Sequence, residues 1–456
     1  MNAAQLQKER TQIFDDFWHN RLPARLPVDM PLYHQLYIEY SGKDLIEAQY
    51  DYSVLKDSAE DFCNEIYSDT CPLRSRPKLA AFHQLLGAQT FVMSSAGIMQ
   101  HPETTGMYED EYDELIEDPL AFIIDKVLPR QYRKLDYNNP FMTAKAIQTA
   151  RASQEADNNA ISDLSKPLIE KYGYYPGSPR TANGSTRAPF DYIADTIRGF
   201  SAVSTDLRRN RRKLADACDA VYPLMFRIGL PEKPDPLGTV NIALHMPTYM
   251  RSKDFEEVFL PSFLRLIRNY AALGVRINAF CEDNYTRFID YLQDFPANAL
   301  LRFETADPAL FKNRLGHKFF LGGFFPVNLL RTGTKQQCLD KVKEVADIML
   351  PGGGYLFGLD KNPMTLNDVR FENLKAVTEY MRDYAVYENR GESFGTPLNS
   401  EGYTYGPQSA GSFESKYKFS WEEFKKENIY VPDSAREKFE RLDEDALNFY
   451  ISLLMT

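Results

Sequence analysis

Apolar and polar residues follow two alternating patterns in the second half of the chain. The segment TVNIALHM, from residue 239, has the short apolar run of a buried strand. The segment after it, SKDFEEVFLPSFLRLIRNYAALG, has apolar residues at helical spacing and ends at Gly274. Strands that alternate with helices through short connections predict a parallel sheet.

Four more strand-and-helix pairs follow before residue 390: VRINAFCE with NYTRFIDYLQDF, ALLRFE with DPALFKNRL, KFFLGGF with TKQQCLDKVKEVADIML, and GGYLFG with RFENLKAVTEYMRDYAVY. Successive crossovers without a reversal favour a closed (β/α)8 TIM barrel of the α/β class. An open doubly wound sheet is the alternative, although the Gly-rich dinucleotide turn typical of that fold is missing.

The first half of the chain is less regular, and we expect it to form an irregular N-terminal portion of the barrel. ARLPVDMPLY predicts the first strand, with a helix over residues 48–67, and KLAAFHQLLGAQTFVMSS predicts another unit. The Gly-, Pro- and Ser-rich segment 172–191 predicts a long loop, either a lid or a plain connector. We therefore predict a barrel domain over residues 1–390 and an extended arm with a C-terminal helical extension over residues 391–456.

Composition narrows the class of protein. The 456 residues are 43% hydrophobic and 26% charged, with a net charge of −11, which argues against a nucleic-acid surface. The five cysteines are scattered without a CxxC motif, as in proteins of a reducing compartment. The N-terminus lacks the apolar core of a signal peptide, and no stretch reaches the roughly 18 apolar residues of a membrane span. We expect a cytoplasmic protein that binds neither membrane nor nucleic acid.

The ends of the predicted strands offer candidate chemistry, because reactive residues of a (β/α) barrel lie at the carboxyl ends of its strands. His245, Glu282 and Glu304 occupy successive strand ends and can converge. Cys281 and Glu282 alternate in direction along their strand, so the two cannot easily bind one ion. Glu282 lies closer to the turn and is the better candidate.

Three interpretations of these residues remain open at this stage. One imidazole and two carboxylates suit a divalent ion such as zinc, with one position left open for substrate. The same side chains can act as general acid and base without a metal. They can also simply form hydrogen bonds within loops. The chain has no GxSxG, P-loop or HExxH motif.

Several segments, in order, resemble the uroporphyrinogen decarboxylase superfamily and, within it, the corrinoid-dependent methyltransferases. They are RAPFDYIADTIRGF, LHMPTYMRSKDFEEVFLPSF, FCEDNYTRFIDYL, LGHKFFLGGFFPVNLLRTGT and PGGGYLFGLDKNP. The resemblance implies a TIM barrel with its site at the carboxyl face. The arginine-rich substrate motif of true decarboxylases is missing, and Phe280 and Glu282 stand where thiol-directed relatives have a His-x-Cys zinc motif. These departures argue against porphyrinogen decarboxylation and remove a thiolate site.

The resemblance implies a methyltransferase of the O-demethylase type. Such an enzyme would move a methyl group from a methylated small molecule, such as an aryl methyl ether, to the cobalt of a corrinoid carried by a partner protein. His245 and Glu282 match residues of the relatives that demethylate ethers or amines, and would bind zinc or polarise the leaving oxygen, with Glu304 as a third candidate ligand. The predicted substrate-pocket residues are Tyr33, His34, His101 and Asp191.

Two other classes of function compete with this hypothesis. The chain could be a decarboxylase or lyase of the same fold that acts on a carboxylated substrate without a corrinoid. It could also be a binding protein that keeps the barrel and has lost its catalytic groups, an interpretation that the missing His-x-Cys motif favours. A homodimer is the oligomeric state that we would test first.

Overall fold

A parallel sheet of six strands lies at the centre of the protein. In the computed structural model, which describes residues 2–74, 77–403 and 410–455, the strands of this sheet follow chain order and each pairs in parallel with the next. They are β3 (Gly184–Arg187), β4 (Thr239–Leu244), β5 (Arg276–Asn284), β6 (Leu300–Thr305), β7 (Phe320–Phe325) and β8 (Tyr355–Leu359). A small antiparallel pair, β1 (Val92–Met93) and β2 (Met99–Gln100), precedes it. The predicted parallel sheet is confirmed, and the fold is mixed α/β.

Helices connect and cover these strands. They are α1 (Ala3–Trp18), α2 (His34–Tyr40), α3 (Ala59–Asn64), α4 (Ala80–Leu86), α5 (Tyr112–Glu117), α6 (Pro119–Phe122), α7 (Leu128–Gln131), α8 (Pro140–Tyr172), α9 (Pro189–Tyr192), α10 (Phe200–Arg209), α11 (Arg211–Gly229), α12 (Ser252–Asp254), α13 (Leu260–Ala272), α14 (Ile289–Leu292), α15 (Pro308–Leu315), α16 (Val327–Thr332), α17 (Lys335–Met349), α18 (Phe371–Tyr384), α19 (Trp421–Glu427) and α20 (Arg436–Leu453). No helix in the described ranges is both long enough and apolar enough to cross a membrane.

The long helices begin and end at residues that suit their termini. The side chain of Asn139 caps α8, Pro140 occupies its first position, and Gly173 ends it with a φ of 59°. Thr334 and Gln337 form a reciprocal capping box at the start of α17. Local sequence therefore accounts for these boundaries.

Two predicted helices are shorter than expected. Residues 48–67 form 3-10 turns and only the short helix α3, in part because Asp51 accepts a hydrogen bond from the backbone of Ser53. The segment after β5 contains only the four-residue α14, and there Asn284 accepts a hydrogen bond from the backbone N–H of Thr286. Side chains that bond nearby backbone compete with a continuous helix.

The parallel ladder continues beyond β8 through segments that are not regular strands. Val28 forms a parallel bridge with Phe357, and the backbone N–H of Asp69 donates to the carbonyl oxygen of Val28 at 2.9 Å. Thr70 in turn forms a parallel bridge with Tyr175. The predicted first strand is therefore an extended segment with isolated bridges, next to β8.

The two faces of the sheet differ sharply in packing. On one face, Val240, Ile242 and Leu244 of β4 are buried in the main core against the surrounding helices. On the other face, Asn241 is exposed and Ala243 is only half-buried. We call these the packed face and the open face. Period-two alternation in β4 and β5 determines which residues belong to each face.

The two termini of the described chain pack against different parts of the fold. In α1, Phe14, Phe17 and Trp18 form a second core cluster with residues of β6, β7 and β8, near the amino ends of those strands. At the other end, Leu447 and Ile451 of α20 join the main core. The predicted helical extension thus packs against the same core as the sheet.

Candidate functional site

His245 and Glu282 are hydrogen-bonded to each other at the carboxyl edge of the sheet. His245 follows β4 directly, and Glu282 lies near the end of β5 on the open face. Nδ1 of His245 contacts Oε2 of Glu282, and the two side chains are 34% and 41% exposed. The pair is therefore fixed by its own contact while remaining accessible from the open face.

The surroundings of His245 favour its protonated form. Burial alone would lower the pKa of His245, but the hydrogen bond that its ring donates to Glu282 and the charges of Asp191 and Glu282 outweigh it, so that the pKa is raised. Because Nδ1 is engaged by Glu282, Nε2 is the ring nitrogen that remains, and it forms no hydrogen bond with any residue that the structure describes. A protonated His245 thus has an N–H available for a ligand.

Asp191 holds the backbone of His245 in place. It lies in α9, which Pro189 begins, and its Oδ2 accepts the backbone N–H of His245 at 2.9 Å. The side chain is fully buried, and Oδ1 has no hydrogen-bond partner among the described residues. Burial raises the pKa of Asp191 to about 7, against the opposing influence of His245. A carboxyl group that titrates near neutrality lies directly behind the imidazole.

The end of β5 is irregular beside this pair. Asp283 has a φ of 61°, and the pairing of β5 with β6 shifts between Cys281 and Asn284. A positive φ at a residue other than glycine is uncommon and recurs at functional sites. Cys281 points to the packed face and is buried, as the alternation of the strand predicts. Glu282 is the residue of this turn that faces the open side.

Glu304 has different partners. It forms an ion pair with Lys361 and accepts the backbone N–H of Asp283 at 2.9 Å. Burial would raise the pKa of Glu304, but these two contacts prevail and lower it. In the described ranges, no group of three or more His, Cys, Asp or Glu side chains is arranged to hold a metal ion. His245, Glu282 and Glu304 thus do not form a ready-made set of three ligands.

The other residues predicted to line a pocket lie at different distances from this pair. Tyr33 is 37% exposed, and the pKa of its hydroxyl is raised by burial and by the charge of Glu282. The ring of His101 stacks on Phe91 with 4.4 Å between centroids. His34 is buried, with its ring edge-on to Tyr52. Tyr33 thus lies close enough to Glu282 to feel its charge, whereas His34 lies within the core.

A charged cluster lies beside His245, and of its members the sequence analysis predicted only His101. Arg187, the last residue of β3, forms an ion pair with Asp195, and Nδ1 of His101 lies 3.7 Å from Oδ1 of Asp195. The ammonium of Lys78 lies 4.1 Å from the centroid of the Phe91 ring. Arg187 lies within the segment 172–191 that was predicted as a long loop, whereas the structure has the strand β3 over Gly184–Arg187, so its place at a strand end was not predicted. The approach of Lys78, Asp195 and Lys361 depends on the fold.

Comparison with known proteins identifies a similar fold. No family model matches the chain, and the search of curated proteins finds no relative by sequence. A methyltransferase from Methanosarcina mazei has a similar structure, with a TM-score of 0.50 over 83% of this chain and 98% of that one, at 14% sequence identity. At such low identity the similarity shows the fold alone. The site must be interpreted from its own geometry.

Proposed function

We propose that this protein is a methyltransferase that removes the methyl group of a small methyl ether, with His245 as the acid that protonates the leaving oxygen. The observation that carries the proposal is the hydrogen bond between His245 and Glu282 at the carboxyl edge of the sheet, with Nε2 unengaged. The similarity in fold to a methyltransferase is consistent with this proposal. A resemblance in several sequence segments to corrinoid-dependent methyltransferases adds to it.

Protonation by His245 would make the oxygen of a methyl ether a better leaving group. A methyl ether reacts slowly because alkoxide and phenoxide are poor leaving groups. In the proposed step, the nucleophile of the methyl acceptor would bond to the methyl carbon as the bond from that carbon to the oxygen breaks. The oxygen keeps the electron pair of the broken bond, and the N–H at Nε2 of His245 donates its proton to that oxygen. The product is the free alcohol or phenol, and His245 then regains a proton from solvent.

Glu282 and Asp191 act on His245 rather than on the substrate. Glu282 accepts from Nδ1, which orients the ring and stabilises the imidazolium, while Asp191 holds the backbone N–H of the same residue. Without the contact to Glu282 the imidazolium would be less stable, and without the contact to Asp191 the backbone of His245 would be less well positioned. In this proposal both carboxyl groups are positioning residues.

The methyl acceptor belongs to the proposal as well. We assign this role to a corrinoid on a separate protein, whose cobalt(I) supplies the nucleophile, and we place the reaction in the cytoplasm. A site at the open carboxyl edge, with His245 34% exposed, is accessible to a docked cofactor domain. Arg187, Asp195 and His101 would form the adjoining wall of the substrate pocket.

Zinc activation by His245, Glu282 and Glu304 is the other form of this proposal, but the side chains as arranged do not fit it. Nδ1 of His245 is engaged by Glu282, and Glu304 is engaged by Lys361. For all three side chains to bind one zinc ion, Glu304 would have to leave Lys361, and Glu282 would have to turn from Nδ1 of His245 toward the ion. Measurement of the zinc content of the purified protein separates the two forms: one ion per chain, lost on replacement of Glu304 by Gln, would favour the metal.

The fold in which the site is built is proposed to be a (β/α)8 barrel. The bridge between Val28 and Phe357 and the hydrogen bond between Asp69 and Val28 add two segments to the six strands. The segments at Val28 and at Asp69 would be the first and second strands of the barrel. The open face of the sheet would then be the barrel interior, with His245 and Glu282 at its carboxyl rim.

The experiment is a methyl-transfer assay. Aryl methyl ethers are offered with a cobalt(I) corrinoid, and transfer is followed by the absorbance of the corrinoid. Wild type and a Glu117→Gln control, which changes an exposed glutamate of α5, should transfer the methyl group, while His245→Gln should not. Equal turnover by His245→Gln would refute the assignment. Release of carbon dioxide from carboxylated substrates, without methyl transfer, would identify a decarboxylase instead.

A further inference from the structure

A large cavity lies on the open face of the sheet, away from His245 and Glu282. Its volume is about 1070 Å³, just above the range of about 300–1,000 Å³ that is typical of pockets for small molecules. Residues at the starts of the strands line it, among them Gly184, Thr239, Leu300 and Leu356. None of His245, Glu282 and Glu304 borders it. It is thus a separate space at the amino half of the sheet.

Amide side chains form a polar row on one wall of this cavity. Nδ2 of Asn278 donates to Oδ1 of Asn241 at 2.8 Å, and Nδ2 of Asn241 donates to the carbonyl oxygen of Gly184 at 3.3 Å. Oδ1 of Asn278 is buried and has no hydrogen-bond partner among the described residues. Asn241 is exposed and Asn278 is half-buried, so amide N–H groups of this row are within reach of a ligand hydroxyl.

The charged residues around the cavity are predominantly cationic. Arg74, Lys78 and Arg180 line it, and Asp29 is the acidic residue that accompanies them. Arg74 forms an ion pair with Asp29, and Arg302 lies 3.8 Å from the same carboxylate. The charge of Asp29 is thus already compensated.

Arg180 is the cation most available to a ligand. It is exposed at the cavity, and its side chain has neither an ion pair nor a hydrogen bond with any residue in the described ranges. A guanidinium group presents a fork of donors that matches carboxylate and phosphate oxygens. The cavity therefore combines an unengaged cation with a row of amide groups.

We propose that this cavity is a second binding site, for an anionic small molecule that carries several hydroxyl groups, such as a sugar phosphate or a sugar acid. Arg180 would bind the anionic group, and Asn241 and Asn278 would bind hydroxyls. The phenyl and indole rings of Phe14 and Trp18 close part of the cavity wall and exclude water from one side of the ligand. The site lies on the opposite part of the sheet from the proposed methyl-transfer site and does not depend on it.

Isothermal titration calorimetry of the full-length protein tests the proposal, with glucose 6-phosphate, gluconate and neutral glucose as probes at constant ionic strength. We expect one or both anionic probes to bind at one site per chain, and more tightly than glucose. The preference between glucose 6-phosphate and gluconate tells whether phosphate or carboxylate is the better anion. Arg180→Ala should weaken binding of that anion about tenfold, because a charged hydrogen bond is lost.

Two further variants sharpen the outcome. Asn278→Leu removes the amide row and should also weaken binding, while Arg212→Ala, which changes a side chain that is 96% exposed on α11, should bind as wild type does. A thermal melt verifies that each variant is folded. If Asn278→Leu does not fold, the result for Arg180→Ala alone decides the test. The proposal is overturned if neither anionic probe binds, if glucose binds as tightly as both, or if Arg180→Ala binds like wild type.

Discussion

The carboxyl edge of the sheet has two acidic regions with opposite surroundings. Beside β4, Asp191 is fully buried, one of its oxygens has no partner among the described residues, and burial raises its pKa to about 7. Beside β6, Glu304 pairs with Lys361, and its pKa is lowered although burial opposes this. Two carboxyl groups near the same edge of the sheet thus have pKa values that are shifted in opposite directions.

This difference shows which region can take part in proton transfer. A carboxylate neutralised by a lysine is stabilised as an anion and changes little near neutral pH. Beside β4, by contrast, burial raises the pKa of Asp191 to about 7, and the pKa of the neighbouring His245 is raised as well. The pair at β4 and β5 is suited to acid–base chemistry, and the pair at β6 is suited to holding structure.

The largest effect should follow from substitution of His245. His245→Gln keeps a polar side chain but removes the acid, and we expect methyl transfer to fall by about a hundredfold to a thousandfold, the usual contribution of a general acid. Glu304→Gln, in the other region, should lower it by less than about tenfold. Turnover numbers for the two variants check this, and comparable losses would abolish the distinction between the regions.

The next effect concerns stability and pH. Because the pKa of Asp191 is raised in the folded state, the unfolded chain loses this proton first, and the free energy of unfolding should fall as pH rises from about 4 to about 7. The rise from 3.8 to about 7 corresponds to at most about 4 kcal/mol. Asp191→Asn should flatten this dependence and be relatively more stable above pH 7. Urea titrations across this pH range measure it, and an unchanged slope would contradict the burial argument.

A smaller effect is expected on the titration of His245 itself. Glu282 raises the pKa of His245 against the effect of burial, so Glu282→Gln should lower that pKa. The imidazole then loses its proton at a lower pH, and the alkaline limb of turnover should move in the same direction. NMR titration of the His245 ring detects the change, with Glu304→Gln as the comparison. A His245 pKa that is the same in wild type and Glu282→Gln would mean that their contact carries no charge.

The smallest effect should come from the ion pair between Glu304 and Lys361. The Lys361 side chain is 57% exposed, so solvent screens the pair, and such pairs contribute about 1 kcal/mol or less. Glu304→Gln should therefore lower the free energy of unfolding only slightly, and less at high salt. A loss of several kcal/mol, measured by chemical denaturation, would show that Glu304 has a larger structural role.

Local patterns predicted the regular half of the fold well and the irregular half poorly. The alternation of strand and helix patterns after residue 239 predicted the parallel strands from β4 onward. Within a strand, side chains alternate between the two faces with a period of two. The helix predicted over residues 48–67 is mostly 3-10 turns, because side chains such as Asp51 bond their own backbone. The extended segment at Val28 contributes isolated bridges that no periodicity reveals.

The candidate site divides in the same way. The strand ends that carry His245, Glu282 and Glu304 were evident from the chain, because the end of a strand is a local property. The partner of Glu304 was not evident, since Lys361 lies 57 residues away and approaches it only in the fold. Spacing along the chain therefore predicted neither the contact between His245 and Glu282 nor the ion pair of Glu304 with Lys361.

The sequence by itself determined where strands β4 to β8 lie along the chain, the direction of Glu282 and Cys281 on opposite faces, and the ends of the long helices, since each follows from neighbouring residues. Only the tertiary structure decided which carboxyl group keeps its proton. Burial and the distance to opposite charges set that balance, and the groups involved come from distant parts of the chain: the backbone N–H of His245 lies 54 residues from the Asp191 carboxyl that accepts it.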